Sequence, residues 1–143
     1  MQITRQADYA VRAVLHLAKM EEGSRAATSR IADEQKIPPS FLAKIVSQLS
    51  VAGVVQTSRG ARGGVSLARD PSRITLLEVI EAIDGPIMLN ECVNDRSVCV
   101  FGESCPVHDI WCVAQATLYE ALSKTDFGVL ANGRGQNPTS ASA

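Results

Sequence analysis

The sequence predicts a mainly α-helical fold with one small β-hairpin, and three observations support that prediction. Apolar residues recur at helical spacing along several segments of the chain. Two short β-rich runs, 54–58 and 65–68, flank the glycine-rich sequence RGARGG. Two prolines, Pro38 and Pro39, separate a short helical segment from a longer one. The order helix, short helix, helix and basic hairpin is that of a winged helix-turn-helix, and a long C-terminal dimerisation helix is expected to follow it.

Five helices are expected, and most have a recognisable start or stop. They span residues 4–20, about 28–35, the stretch between Pro39 and Gly53, 75–84, and 106–124. Thr4 and Thr75 can cap the first and fourth helices, because a threonine oxygen accepts a hydrogen bond from a free backbone N–H group. Thr28 or Ser29 is the expected cap of the second helix. Pro106 is expected to start the last helix, since proline is tolerated at the first helical position.

The third helix combines an apolar stripe with a polar face. The stripe is expected to face the core and consists of Phe41, Leu42, Ile45, Val46 and Leu49. A recognition helix needs an exposed polar face, because its side chains contact base edges in the major groove of DNA. The candidate DNA-binding residues on this face are Ser40, Lys44, Ser47 and Gln48.

The hairpin and the charge distribution both favour a nucleic-acid partner. Arg59 and Arg62 lie at the tip of the hairpin, beside glycines that allow the positive φ angles of a tight turn. Residues 1–73 carry a net charge of +5 and residues 74–143 a net charge of −6. A basic half suits a polyanion, so we expect double-stranded promoter DNA as the partner. Ordinary surface charge and an acidic protein partner are the alternatives.

The C-terminal half is expected to contain a dimerisation helix. Apolar residues at spacings of four and three make a seam of about two heptads, as in helices that pack between subunits to form a homodimer. The seam consists of Val107, Trp111, Ala114, Leu118 and Ala121. Spacing alone equally allows this helix to pack on its own domain. The expected divisions are a DNA-binding domain at 1–84, a loop at 85–105, the dimerisation helix and following segment at 106–130, and a disordered tail at 131–143.

The sequence favours a cytoplasmic protein that is not an enzyme. It has no run of about 18 apolar residues, so no membrane span is expected. Asp8 and Arg12 interrupt the N-terminal segment, so it does not resemble a signal peptide. The sequence contains no phosphate-binding glycine loop and no Ser/His/Asp pattern. We therefore predict no catalytic residues.

All four cysteines and one of the two histidines fall in residues 92–112, CVNDRSVCVFGESCPVHDIWC. In a reducing compartment, clustered cysteines bind metal or act as redox centres more often than they form disulfides. The Cys-x2-Cys pair typical of zinc sites is absent. Cys105 and His108 are one helical turn apart and can face one site, whereas Cys112 is expected to be a small buried apolar residue. These patterns leave a disulfide, a zinc site, an iron–sulfur cluster and a redox switch open.

Residues 1–130 resemble the Rrf-type family of winged-helix transcription regulators, which includes IscR-like and NsrR-like proteins. The motifs that carry the resemblance are MQITRQADYAVRAVLHLA, KIVSQLSVAGVV, RGARGGVSLARDPSRITLLEVIEAID and the three loop cysteines. The resemblance implies a homodimer, a cluster held by Cys92, Cys99 and Cys105, and promoter binding controlled by the state of that cluster. Repression, with sensing of nitric oxide, redox state or iron–sulfur status, is the expected mode. A thiol-redox or zinc-stabilised regulator without a cluster is the alternative.

The resemblance leaves two candidates for the fourth cluster ligand. In IscR-like proteins, a histidine just beyond the third cysteine completes the site of a 2Fe-2S cluster, and His108 in CPVHDIW matches it. In NsrR-like proteins, an aspartate of the partner subunit's first helix can complete the site of a 4Fe-4S cluster, and Asp8 in ADYAVRA matches it. We favour Asp8 and a 4Fe-4S cluster. Ala43 stands where IscR-like proteins have a base-reading glutamate, so their operator is not expected here.

Overall fold

The structure, a computed structural model, describes residues 2–133 of the 143-residue chain. Its helices and strands are α1 (Arg5–Ala18), α2 (Thr28–Gln35), α3 (Pro39–Val51), β1 (Val55–Ser58), β2 (Gly64–Leu67), α4 (Leu76–Asp84), α5 (His108–Ser123) and α6 (Phe127–Ala131). Short 3-10 turns lie at Pro71–Arg73, Glu91–Val93, Arg96–Val98 and Gly102–Ser104. The predicted fold class is confirmed. From residue 134 onward, the expected disordered tail lies outside the described residues.

Two of the predicted helix caps are present and one is wrong. The Thr4 hydroxyl accepts a hydrogen bond from the N–H of Ala7 at 3.1 Å. Thr75 and Glu78 form a reciprocal capping box at the start of α4. Helix α2 has Ala27 at its cap position and no side-chain cap, and Thr28 is already helical. Ala26, which directly precedes this cap residue, forms two backbone hydrogen bonds with Val65 of β2. These bonds keep the chain extended up to Ala27.

Helix α5 begins at His108, two residues later than predicted. Pro106 and Val107 form a turn that follows the 3-10 turn Gly102–Ser104. The residue before a proline avoids the helical region because of a clash with the proline ring, and Cys105 is accordingly extended with φ −76° and ψ 116°. The cysteine loop therefore extends up to the first residue of α5.

The main hydrophobic core lies between α1, α3, α4, the hairpin and α6. Four of the five residues predicted for the α3 stripe are buried in it, but Phe41 is 43% exposed. The Phe41 ring packs instead on the outer edge of the core, against the ring of Tyr9 in α1, with centroids 6.4 Å apart. Phe41 therefore lies on the surface shared by α1 and α3.

The hairpin is a two-stranded antiparallel sheet whose register pairs Val55 with Leu67. Ala26, which precedes α2, pairs with Val65 of β2 in an antiparallel bridge. This bridge adds the segment before α2 to the edge of the hairpin. Gly64 makes this approach possible, because a Cβ atom at that position would lie 2.6 Å from the carbonyl oxygen of Ala26. The hairpin is thereby fixed to the start of the helix-turn-helix.

A second, smaller core connects α1 and α4 to the C-terminal half. Ala7, Ile80 and Ile87 are buried there, and the half-buried Leu118 and Leu122 of α5 pack against them. The other side of α5 remains open to solvent.

The chain returns to the main core after α5. Phe127 of α6 is completely buried in that core. Its N–H donates to the carbonyl of Ile74 at 3.0 Å, and the N–H of Leu76 donates to the carbonyl of Thr125 at 2.8 Å. The second half of α5 and the segment that follows it are consequently attached to the N-terminal half.

Replacing Phe127 with alanine should lower the free energy of unfolding by about 3–5 kcal/mol, because a large ring leaves a cavity in a close-packed core. Urea unfolding followed by circular dichroism measures this change. Val129→Ala is the matched control, since Val129 lies on the same short helix and is 38% exposed. A decrease below about 1 kcal/mol for Phe127→Ala would show that α6 does not contribute to the main core.

Candidate nucleic-acid interface and cysteine loop

The outer face of α3 presents small polar and basic side chains to solvent. Ser40, Lys44 and Ser47 are exposed, as the helical spacing predicts. Gln48 is half-buried, and its Oε1 atom is buried without a hydrogen-bond partner among the described residues. Ala43 lies between the exposed polar positions and is itself exposed. Lys44 is the one charged residue among these positions.

The turn between α2 and α3 has a defined backbone conformation. Lys36 ends α2 in the left-handed conformation with φ 54° and ψ 45°. Ile37 follows and is buried, and its N–H donates to the carbonyl of Ala32 at 2.9 Å. Pro39 then starts α3 at its first position. A non-glycine residue in the left-handed region was not predicted, because the sequence places no glycine or asparagine there.

Arg59 and Arg62 lie at the tip of the hairpin, between β1 and β2, and both are exposed. Neither forms a salt bridge within residues 2–133. Gly60 between them has φ 100°, which only glycine adopts without strain. Both guanidinium groups are therefore available to phosphate oxygens.

The three loop cysteines follow one another on consecutive 3-10 turns. Cys92 lies within the turn Glu91–Val93, whereas Cys99 and Cys105 directly follow the next two turns. All three are free thiols and half-buried. Among residues 2–133, no three His, Cys, Asp or Glu side chains are grouped so that they could hold a metal ion. Cysteine thiolates are suitable ligands for iron. In the folded loop, however, the three thiols do not lie close enough together to form one metal site.

His108 is buried rather than exposed on the helix surface. Its exposed fraction is 6%, and it is the one buried polar residue among those described. Its Nε2 atom lies 3.3 Å from the Sγ atom of Cys112, one turn further along α5. Cys112 is half-buried rather than fully buried, and the i, i+4 spacing of this pair could have predicted the contact.

Asp8 lies on the solvent side of α1. Its side chain is 62% exposed, and its Oδ2 atom is 3.4 Å from Nε of Arg12, an ion pair without hydrogen-bond geometry. Arg12 is held by other contacts as well. It donates to the backbone carbonyl of Gln35 at 3.1 Å, and its guanidinium carbon lies 5.0 Å from the centroid of the Tyr9 ring. The exposed pair contributes little to stability, so Asp8 is free to meet a group from another chain.

The first half of α5 exposes a row of large apolar side chains. Ile110 is 62% exposed and Val113 64%, and Val107 and Trp111 of the predicted seam are also exposed. Leu118, further along the seam, packs on the second core. The first part of the predicted seam, with Val107 and Trp111, is therefore exposed to solvent, whereas Leu118 packs inside the chain's own second core.

No helix within the described range is long and apolar enough to cross a membrane.

Comparison with known proteins identifies the family. The Rrf2 model, described as an iron-dependent transcriptional regulator, matches residues 3–133. The chain is 32% identical to the HTH-type transcriptional regulator IscR of Escherichia coli over 92% of this chain and 81% of IscR. It is 28% identical to the HTH-type transcriptional regulator NsrR of Shouchella clausii over 87% of this chain and 84% of NsrR.

Among solved structures, the fold matches CymR, the global cysteine regulator of B. subtilis, with a TM-score of 0.80 and 27% identity over 93% of this chain and 98% of CymR. The winged helix-turn-helix fold agrees with the family model, which matches almost the whole chain. The chain belongs to the Rrf2 family of DNA-binding transcriptional regulators.

Proposed function

We propose that the protein is a cytoplasmic, homodimeric repressor whose promoter binding is controlled by an iron–sulfur cluster on Cys92, Cys99 and Cys105. The observation that carries the proposal is the set of three free thiols on one loop that runs directly into α5. Relatives named IscR and NsrR, aligned over most of the chain, support it.

In the proposed complex, α3 enters the major groove and the hairpin contacts the adjacent backbone. Ser40, at the second position of α3, is nearest the base edges, because the N-terminal residues of a recognition helix reach deepest. Lys44 can contact a guanine edge or a phosphate. Arg59 and Arg62 supply charge at the hairpin tip, where they suit phosphates or a narrow minor groove.

The proposed homodimer uses the exposed apolar side of α5. Large apolar side chains in a contiguous exposed row mark an interaction surface, and Ile110, Trp111 and Val113 form such a row within one turn of each other. A second copy of α5 packed against it would bury them and place two recognition helices on one DNA duplex. Two-fold symmetric promoter sites are then expected.

A cluster on the loop suits the chemistry of the donors. Thiolates are the usual protein ligands of iron–sulfur clusters, and a bound cluster would supply reactivity toward nitric oxide, oxygen and electrons. The three thiols are half-buried and none is joined to another. Metal binding would therefore also order the loop, so that loss of the cluster changes the protein's conformation.

For the fourth ligand we favour Asp8 of the partner subunit over His108. Asp8 is exposed and only weakly paired, so a carboxylate oxygen can reach a second chain without breaking a buried contact. His108 is buried, and its Nε2 atom is directed toward Cys112. With Asp8 as the ligand, a 4Fe-4S cluster that senses nitric oxide is the favoured type.

A second candidate is a regulator whose thiols act without a cluster. The contact between Cys112 and His108 favours it, because a neighbouring imidazole is a usual partner of reactive thiols. The fold likeness to the cysteine regulator CymR is compatible with it. Zinc stabilisation is a variant of the same candidate. The absorption spectrum of protein purified without oxygen separates the candidates, since only a cluster gives visible sulfur-to-iron bands.

Removing Arg59 and Arg62 together should weaken DNA binding and reduce the slope of log Kd against log salt concentration by about 1 for each phosphate that is no longer neutralised. Fluorescence anisotropy with promoter duplexes at several salt concentrations measures the slope. Lys124→Ala is the matched control, because it removes an exposed cation at the far end of α5. An unchanged slope and affinity in the double variant would exclude the hairpin from the interface.

Each of the changes Cys92→Ala, Cys99→Ala and Cys105→Ala should abolish bound iron and sulfide, because three thiolates are needed to retain the cluster. Iron and sulfide analysis of protein purified without oxygen measures this effect. Cys112→Ala should retain both elements and serves as the control. Full cluster occupancy in the Cys99→Ala protein would contradict the assignment.

Replacing Asp8 with alanine should change the visible spectrum of the cluster and speed its decay in nitric oxide or oxygen, while His108→Ala stays near the wild type. The measurement is anaerobic absorption spectroscopy followed by exposure to either gas. Asp109→Asn is the control, since Asp109 is an exposed carboxylate at the start of α5 that pairs only with Arg96 among the described residues. The reverse pattern, with His108→Ala altered and Asp8→Ala unchanged, would indicate a 2Fe-2S cluster held by His108.

A further inference from the structure

Gln115 of α5 makes a paired contact with the backbone just before the cysteine loop. Its Nε2 atom donates to the carbonyl oxygen of Ile87 at 2.5 Å. Its Oε1 atom accepts from the N–H of Leu89 at 2.8 Å. One side-chain amide thus satisfies both a donor and an acceptor of residues 87–89, as a neighbouring strand would.

This contact is the main polar attachment of the segment that leads into the loop. From Pro86 to Glu91, no other hydrogen bond within the described range joins the segment to α4 or α5. Ile87 is buried in the second core, but neither Met88 nor Leu89 is fully buried. Besides Gln115, the chain is held here by the buried side chain of Ile87 and by the packing of the turn Glu91–Val93 against α5.

Gln115 attaches the entry of the loop to the helix at which the loop ends. Cys92 lies three residues after Leu89, the residue that Gln115 holds. Cys105 lies three residues before His108, the first residue of α5. The amide therefore fixes the entry of the loop to the same helix from which its exit starts, and the positions of both outer cysteines depend on that one helix.

We propose that Gln115 is a positioning residue for the cysteine loop: by holding residues 87–89 to α5, it restricts the positions that Cys92 can take when the three thiols come together around a cluster. The inference rests on the proposed cluster site, and it adds that the geometry of the site depends on an amide in α5 that contacts no iron ligand. When the amide is removed, Cys92 is the thiol that becomes mobile. A cluster with one loosely held thiolate exchanges that ligand faster and dissociates more readily.

The test uses Gln115→Leu and Gln115→Glu in the full-length protein, with Thr117→Val as the matched control. Leucine removes both hydrogen bonds, whereas glutamate keeps the acceptor for Leu89 but not the donor for Ile87. Thr117 lies two residues further along α5 and is exposed, and its hydroxyl donates to the carbonyl of Val113 in the same helix. Phe127→Leu adds a control for general destabilisation, since Phe127 lies in the main core away from the loop.

Two measurements are made on each variant. Amide hydrogen exchange of cluster-free protein should show Leu89 exchanging at least about fivefold faster in Gln115→Leu, because its N–H loses the one hydrogen-bond partner that it has within residues 2–133. Decay of the visible cluster bands in air should also be at least about fivefold faster in Gln115→Leu, with Gln115→Glu intermediate. Thr117→Val should match the wild type in both, and Phe127→Leu should not accelerate the decay to the same degree.

The outcomes distinguish this inference from the proposed function. Unchanged exchange at Leu89 in Gln115→Leu would overturn the contact itself. Faster exchange with unchanged cluster decay, or equal acceleration by Phe127→Leu, would overturn its role in positioning the thiols. A wild-type protein that takes up no iron or sulfide would overturn the proposed function and with it the positioning role, while the exchange at Leu89 would still report whether the amide holds the segment.

Discussion

The close packing around α1 is the constraint on which the rest of the structure depends. Ala10 and Ala13 are buried in the main core, and Ala7 is buried in the second core. Side chains this small let neighbouring helices approach closely, so α1 contacts α2, α3, α4, α6 and β2 along its length. A larger residue at Ala10 would separate α1 from its neighbours and change the angle of the recognition helix. Both cores share this helix, so a shift at one end of α1 changes the packing at the other.

The same helix connects the proposed DNA-binding face with the proposed cluster ligand. Asp8 faces solvent beside Arg12, and Arg12 lies over the ring of Tyr9. The Tyr9 ring in turn packs on Phe41 in the first turn of α3. These contacts form a short path from an exposed carboxylate to the recognition helix. Phe41 itself is only partly buried, so this end of the path lies at the surface of the molecule.

Local signals in the sequence predicted most of the fold, and several of the misses involve residues distant in the chain. The caps at Thr4 and Thr75 were predictable because each depends on neighbours within three residues. The missing cap of α2 was not, because Ala26 is held by Val65, which lies 39 residues further along the chain. The return of Phe127 to the main core likewise depends on pairing with Ile74. Short apolar segments such as 127–131 carry no periodicity from which such packing could be predicted.

The candidate site was predicted unevenly for a related reason. The exposure of Ser40, Lys44 and Ser47 followed from helical spacing. The contacts of Gln115, in contrast, depend on how residues 87–89 pack against α5. From the sequence alone, a glutamine that hydrogen-bonds to a distant backbone segment cannot be distinguished from a glutamine on the helix surface. Such contacts become visible only in the folded structure, where another segment of the chain packs against the helix.

The loop differs from the rest of the described chain in having almost no core of its own. None of residues 88–107 is fully buried, and Val98, Val100 and Phe101 point apolar side chains into solvent. A segment with so little buried apolar surface gains little free energy from folding alone and opens easily. Its order depends on attachments such as Gln115 and, in the proposed function, on the cluster that its thiols would hold. A well-packed helix-turn-helix and a weakly stabilised loop suit a regulator that responds to a ligand. The rigid part keeps the DNA-binding geometry fixed, and ligand binding to the loop can change the conformation of the protein.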